Sequence, residues 1–370
     1  MTQTLLVLPG DGIGVEVTEQ AMRVVAWFRK RRGLDLDIEQ RLFGGACHDV
    51  HGVFVEEETV AKAHLATAIL CGAVGGPKWD SLPLEGPPEQ RDGLTRLRKD
   101  LDLFANLRPA RPMTALRAVS PLKPEVLDGV DLVILRELTS GIYFGQPRGI
   151  ETLGDGSERG VDTQVYTTAE IERIALAAFE LARSRRGVVH SIEKSNVMES
   201  GVLWRRVVAR VHAEHYGNIT LNHMLADNCA LQLIQNPRQF DVLVADNLFG
   251  DVLSDEAGAI AGSLGMLPSA SLGPLRADGS RAALFEPVHG TAPDIAGRDI
   301  ANPLGAILSM AMMLRLAFER AGDAALLEAA VEAALDGGAR TADLARGGEA
   351  AIGTAAMGDA VLAELDRLLS

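Results

Sequence analysis

Cysteine is scarce in this chain. Its 370 residues include three, Cys47, Cys71 and Cys229, widely spaced and with no C-x-x-C pair. An odd, scattered set excludes a disulfide framework and a zinc ribbon, and it is the usage of a reducing compartment. Positive charge is also short, with 36 basic residues against 50 acidic ones and a net charge of −14. Such a field argues against a nucleic-acid backbone or an anionic membrane as the main partner. Long apolar runs are missing as well: the most apolar stretch, residues 304–314, stops at Arg315, short of the ~20 residues that span a bilayer. The opening Met1-Thr2-Gln3-Thr4, followed by Leu5 to Leu8, lacks the basic region and cleavage site of a signal peptide. A cytoplasmic protein is expected. The eight histidines show no H-E-x-x-H spacing, and neither G-x-S-x-G nor G-x-G-x-x-G occurs, which removes the commonest zinc, nucleophile and dinucleotide signatures.

What is present is apolar and periodic. Hydrophobic residues make up 47% of the chain, enough for a sizeable core, and the length predicts two domains. Short β-rich runs at 4–8, 68–71, 130–135, 187–192, 219–221 and 240–244 alternate with helical stretches at 15–31, 59–65, 168–183, 202–215 and 226–234. The tail reads as three helices, 303–320, 324–335 and 357–368. Thr167-Thr168-Ala169-Glu170 has the spacing of a capping box ahead of the 168–183 helix. Residues 141–160, rich in glycine and turn formers, read as an extended arm. The pattern predicts an α/β fold with a largely buried mixed sheet.

Four groups of residues carry candidate chemistry. Pro9-Gly10-Asp11-Gly12-Ile13-Gly14 follows the first strand and opens a helix. Its glycines admit either a close ligand or simply a tight turn with positive φ. Asp251 and Asp255 lie four apart in Asp246-Asn247-Leu248-Phe249-Gly250-Asp251-Val252-Leu253-Ser254-Asp255, hence on one helical face, and Asp227 follows another strand. Acids at a helix start are often plain dipole decoration; the alternative is a hard divalent cation. Arg98, Arg108 and Arg136 offer planar forks suited to carboxylates. Arg136 closes an apolar strand, where a guanidinium is costly unless it meets an anion. Lys194 ends a strand, and a lysine near a cation is a reasonable general base. Tyr143 is one of three tyrosines, and its bland alternative is packing under the arm.

Taken in order, several strings resemble the isocitrate/isopropylmalate family of β-decarboxylating dehydrogenases over essentially the whole chain. They include Leu8-Pro9-Gly10-Asp11-Gly12-Ile13-Gly14, Gly72-Ala73-Val74-Gly75-Gly76-Pro77-Lys78-Trp79, and Asp102-Leu103-Phe104-Ala105-Asn106-Leu107-Arg108-Pro109. Arg136-Glu137-Leu138-Thr139, the Asn247–Asp255 run, Gly262 to Ala270 and Glu286 to Gly297 complete the set. The resemblance implies two α/β domains sharing a continuous mixed sheet, not a Rossmann fold. Residues 1–103 with 262–370 would form the cofactor side, and residues 104–261 the dimerising side that holds the arm. It further implies that Arg98, Arg108 and Arg136 clamp a malate dianion. Asp227, Asp251 and Asp255 would hold Mg²⁺ or Mn²⁺, Lys194 would assist loss of the hydroxyl proton, and Tyr143 would reprotonate the enol. Lys194 and Asp227 would come from the neighbouring subunit of a homodimer.

Ile13, His289, Gly290, Thr291, Ala292, Asp294 and Asn302 look like the adenosine side of an NAD site, with the charge of Asp294 set against a 2′-phosphate. The implied reaction is NAD-dependent oxidation and decarboxylation of 3-isopropylmalate to 4-methyl-2-oxopentanoate and CO₂, in leucine biosynthesis. The C3 group would be read by Leu94, Thr95 and Val197. Here the chain departs from the family: Pro88-Glu89-Gln90-Arg91-Asp92-Gly93-Leu94-Thr95 has a longer spacer than usual and threonine in place of a second leucine. A threonine there could favour a smaller or more polar group, which keeps another 3-substituted malate, D-malate and tartrate open as alternatives.

Overall fold

Leu5 to Leu8 are buried one after another, as in a strand covered on both faces. They belong to β1 (Gln3–Gly10), near one end of a ten-stranded sheet in a computed structural model that describes residues 3–82 and 86–370. The other main-sheet strands are β2 (Leu36–Gln40), β3 (Ala68–Ala73), β4 (Ala105–Ala110) and β5 (Leu132–Glu137). β6 (Gly149–Thr152) and β7 (Glu158–Val161) form a separate hairpin; β8 (Val188–Glu193), β9 (Thr220–Leu225), β10 (Val242–Ala245), β11 (Pro268–Leu272) and β12 (Ala283–Pro287) return to the sheet.

The order across the sheet is β2-β1-β3-β12-β11-β4-β5-β10-β8-β9. β2, β1, β3 and β12 pair in parallel, and so do β5, β10, β8 and β9. Between these blocks, β12–β11, β11–β4 and β4–β5 are antiparallel. Two parallel half-sheets thus meet at an antiparallel seam, and the architecture is α/β with one mixed sheet, not a Rossmann fold. The expected domain limits, 103/104 and 261/262, fall just before β4 and at the end of the helix Asn247–Ala261.

Local sequence explains the helices that frame the sheet. Ile13–Arg32 packs Val17, Val24, Val25 and Phe28 inward, and Gly33 closes it in the left-handed conformation at φ 63°. Thr168–Arg183 starts at Thr167, whose side chain accepts from Glu170 N while Glu170 reaches back, the reciprocal capping box expected there. Leu304–Leu316 is buried nearly all round. The 141–160 stretch forms a short 3₁₀ turn, Gly141–Tyr143, and then the exposed β6–β7 hairpin.

The sequence reading departs from the structure in places. β2, β4, β11 and β12 are missed, because their residues (LDIEQ, ANLRPA, PSASL, ALFEP) lack a continuous apolar run. The fifth strand is shifted by two: it does not stop at Leu135 but carries Arg136 and Glu137 inside it, buried and paired with Asn106 and Ala105 of β4.

Candidate active site

The seam between β4 and β5 sets the centre of the site. Asn106 lies opposite Arg136 in the register, and Arg108 two residues along β4 shares their face of the sheet. The helix Asn247–Ala261 lies over that face, capped by Asp246, whose side chain accepts from Phe249 N at 2.8 Å. Arg136, only 2% exposed, is gripped by Asn247 Oδ1 through Nε at 3.0 Å and Nη2 at 2.7 Å, and its Nη1 bonds Asp251. Arg108 donates through Nε to Asn106 Oδ1 at 2.8 Å. Its Nη1 reaches Ser254 Oγ at 2.7 Å, Asp255 Oδ1 at 3.2 Å and Asp251 Oδ1 at 3.3 Å. Tyr143 donates its phenol to Asp251 Oδ2 at 2.7 Å and lies under the Arg136 guanidinium, 5.3 Å from ring centre to Cζ. The bland packing role for Tyr143 is thereby set aside.

The electrostatics follow from burying cations and carboxylates together. Burial pushes Arg136 and Arg108 below the ordinary arginine value, and in Arg136 the nearby Arg108 charge adds to that. Burial acts against the Asp251 charge, but Arg136, Tyr143 and Arg108 outweigh it and hold Asp251 below the usual carboxylate range. Asp255 moves up instead, first through burial, with repulsion from Asp251 adding to it. Tyr143 is raised by burial and by its bond to Asp251, so it keeps its proton at neutral pH. Two acids one helical turn apart are thus tuned in opposite directions.

Arg98, on the helix Gly93–Asp100, approaches from the other half-sheet and bonds Glu286 of β12 through Nη2 at 2.7 Å. Its Nε is buried without a partner, an unspent donor on a cationic fork. Asp92 caps this helix: its carboxylate accepts from Leu94 N at 3.2 Å, from Thr95 N at 2.8 Å and from the Thr95 hydroxyl. Leu94 packs against the cluster that includes Phe43 and Leu97. Val197 is 72% exposed in the turn after β8 and contacts none of these groups through a polar atom.

Lys194 and Asp227 stand apart. They pair with each other at 2.6 Å beyond the ends of the neighbouring strands β8 and β9, and Lys194 holds Asp227 below the usual carboxylate range. Neither bonds Asp251, Asp255 or the three arginines within the chain, and no cluster of three or more His, Cys, Asp or Glu side chains occurs among the described residues. One chain therefore brings together Asp251 and Asp255 but not Asp227.

The glycine loop needs its glycines for conformation and proximity. Gly10 and Gly12 have φ 74° and 54°, and a Cβ on Gly12 would stand 2.2 Å from Thr291 O. Asp11 is buried and accepts from Gly45 N, Ala46 N and Gly75 N at 2.7–2.9 Å. The loop also touches the second candidate region, since Ile13 N bonds Thr291 O at 2.9 Å. There, Ala292 holds φ 36°, Asn302 Oδ1 accepts from Leu304 N, and Asn302 Nδ2 bonds Asp343. His289 Nδ1 is spent on Gly290 O at 2.9 Å, while Nε2 is buried with no partner. Burial pushes His289 down, so that Nε2 presents a free lone pair at neutral pH. Gly290 and Asp294 are exposed beside it.

Sequence reasoning did not single out Asn247, Asn106, Ser254, Glu286 or Asp92 as working parts. Asn247 stood within the quoted acidic run, one residue past the helix cap, so its position was visible but its grip on Arg136 was not. Glu286 lies 188 residues from Arg98, and no spacing rule could have joined them.

The family model described as isocitrate/isopropylmalate dehydrogenase matches residues 4–361. The 3-isopropylmalate dehydrogenase of Gluconobacter oxydans is 56% identical, with 98% of each chain covered. That of Paramagnetospirillum magneticum is 54% identical, also over 98% of each. Among solved structures, an isocitrate dehydrogenase from Methylococcus capsulatus superposes with a TM-score of 0.85 at 30% identity, covering 98% of this chain and 99% of the other. A β-decarboxylating dehydrogenase from Thermococcus kodakarensis gives 0.77 at 34% identity, covering 99% and 97%.

Proposed function

The chain belongs to the isocitrate/isopropylmalate dehydrogenase family, and from that premise we propose that it oxidises and decarboxylates 3-isopropylmalate to 4-methyl-2-oxopentanoate and CO₂, a step of leucine biosynthesis. The observation that carries this reading is the buried cluster in which Arg108, Arg136 and Tyr143 converge on Asp251, with Arg98 and its unpartnered Nε on the helix that approaches from the other half-sheet.

The guanidiniums bind and orient the two substrate carboxylates, and their forks fix the malate plane more tightly than point charges would. Pulling substrate carboxylates into this buried region offsets the cost of keeping Arg136 and Arg108 charged there. The Tyr143 phenol, protonated at neutral pH, is the proton donor to the enol carbon left after CO₂ departs. The resting partners Asp251, Asp255 and Glu286 keep the arginines neutralised until substrate arrives.

The residues present also fit a hard divalent cation, Mg²⁺ or Mn²⁺. Asp251 is held ionised one turn from Asp255, but two carboxylates from one chain are too few oxygens. A homodimer in which the partner subunit's Asp227 joins them supplies the third, and its paired Lys194 then serves as base for the substrate hydroxyl. Such a cation polarises the substrate hydroxyl and carbonyl and stabilises developing enolate charge. NAD fits the 289–302 region on two observations: the free His289 Nε2 acceptor, and Asp294 exposed where a ribose diol would be accepted and a 2′-phosphate repelled. With no described helix long and apolar enough to cross a membrane, a cytoplasmic setting is part of the proposal.

Mixing the protein with NAD, Mg²⁺ and 3-isopropylmalate and following NADH absorbance tests this directly. NADH formation that is lost to a chelator and restored by Mg²⁺ or Mn²⁺ is expected. Absence of signal with 3-isopropylmalate, while D-malate or tartrate is turned over, would reassign the substrate. Absence with all three and with other 3-alkylmalates removes the enzyme reading.

A further inference from the structure

The helix Gly93–Asp100 carries Leu94 and Thr95 one turn before Arg98, so at spacings of four and three they share its face. In an isopropylmalate site the residue at 95 should be apolar, yet threonine brings a hydroxyl that could hydrogen-bond a polar substituent at C3. The structure shows where that hydroxyl is directed. Its oxygen is bonded to Asp92 Oδ2, the same carboxylate oxygen that accepts from Thr95 N at 2.8 Å. A carboxylate only accepts, so the hydroxyl must be the donor and its single proton is committed. Leu94 N fills the other oxygen at 3.2 Å.

We propose that Asp92 is a positioning residue for substrate choice: by capping the recognition helix and taking the Thr95 proton, it leaves Thr95 with a methyl and an oxygen that can only accept, one hydrogen bond fewer for a C3 hydroxyl, and so tilts the site towards a branched alkyl group at C3. The inference rests on the isopropylmalate reading and deepens it. It also explains how the departure at 95 is compatible with an alkyl substrate. The longer spacer residues 88–92 supply the acid three positions before Thr95, the N-cap-to-N3 spacing at which a side chain reaches that backbone N–H. Charge adds to the placement, since Asp92 lies close enough to Arg98 to help hold it above its ordinary value, though burial acts against that and Glu286 contributes more.

Three variants test it, each assayed for kcat and KM with 3-isopropylmalate and with tartrate, which carries a hydroxyl at C3. Asp92→Gly, a substitution that helix caps tolerate at a few tenths of a kcal/mol, removes the carboxylate and frees the threonine proton. The tartrate-to-isopropylmalate ratio of kcat/KM should then rise about fivefold, mainly through KM for tartrate. Adding Thr95→Val to Asp92→Gly removes the freed donor and should cancel that rise. Thr95→Ser keeps the hydroxyl and its bond but deletes the methyl, so KM for isopropylmalate should rise about tenfold with kcat nearly held. An unshifted ratio in Asp92→Gly overturns the proposal. So does a rise that persists in the double variant, or a Thr95→Ser enzyme with undiminished isopropylmalate affinity; this last test stands even if Asp92→Gly folds poorly. Failure of the wild-type protein to turn over isopropylmalate would instead sink the substrate reading, and this inference with it.

Discussion

Replacing Gly250 by alanine sets two effects of known size against each other. Gly250 is buried in the helix Asn247–Ala261, one residue before Asp251. In isolation alanine at a helix interior gains about 1 kcal/mol over glycine. Here the added Cβ would stand 2.8 Å from both Cβ and Cγ of Arg136 and 3.2 Å from its Cα. Those atoms are the anchored end of the side chain on a strand paired on both edges, so they cannot swing away as a side-chain tip could. Overpacking of this kind costs about 1–3 kcal/mol, which leaves a net loss of roughly 1 kcal/mol in urea unfolding. The kinetic effect is larger. A pushed Arg136 stem carries its guanidinium off Asn247 and Asp251, and misplacement of a binding group by about 1 Å costs on the order of 100-fold in rate. Steady-state NADH formation should therefore show kcat/KM falling about 10- to 100-fold in a protein that is still folded. A Gly250→Ala enzyme as active as wild type, or one stabilised by the full helix-propensity gain, would show that Arg136 is not held in the way described.

Lys194→Ala should lower turnover by roughly 10²–10⁴-fold, as loss of a positioned base does, while calorimetric NAD affinity stays near wild type; undiminished turnover would remove Lys194 from the mechanism. Asp294→Ala should weaken NAD and narrow its preference over NADP, and an unchanged calorimetric affinity for both would refute that role. Asp246, pushed up to about 6 mainly by burial, links stability to pH. Because the folded form holds this proton to higher pH than the unfolded chain, the benefit is full below the ordinary aspartate range and fades as pH rises through about 6. Asp246→Asn, which also caps well, should therefore gain on wild type between about pH 4 and about pH 7 by roughly 1–3 kcal/mol in urea unfolding; a pH-independent difference would contradict it.

Much of the fold could be read from local pattern. The 168–183 helix was legible to the residue, because Thr167 and Glu170 fix its start chemically. β3 and β10 were nearly as clear, since buried strands of a parallel sheet read as apolar runs. The seam was not. β4 carries Asn106, Arg108 and Pro109, and β11 is built from small residues; their stability comes from partners in the sheet that no window contains. The same division holds for the site. Asp251 and Asp255 share a face by spacing alone, whereas Glu286 facing Arg98, or Lys194 pairing with Asp227, exists only because the chain returns from far away. The Thr95 hydroxyl is instructive, because its residue type suggested an affinity for polar groups and its bond to Asp92 removes the donor.

The Asp11 carboxylate, held by three backbone amides drawn from two other segments, has a consequence for how the enzyme starts. Many glycine-rich turns are completed only when a bound phosphate satisfies their inward-pointing amides. This corner brings its own anion, so folding alone satisfies those amides and sets the turn. The helix that begins at Ile13 and the Thr291 backbone it touches are then fixed before any nucleotide arrives, and that part of the ordering cost falls on folding rather than on each catalytic cycle.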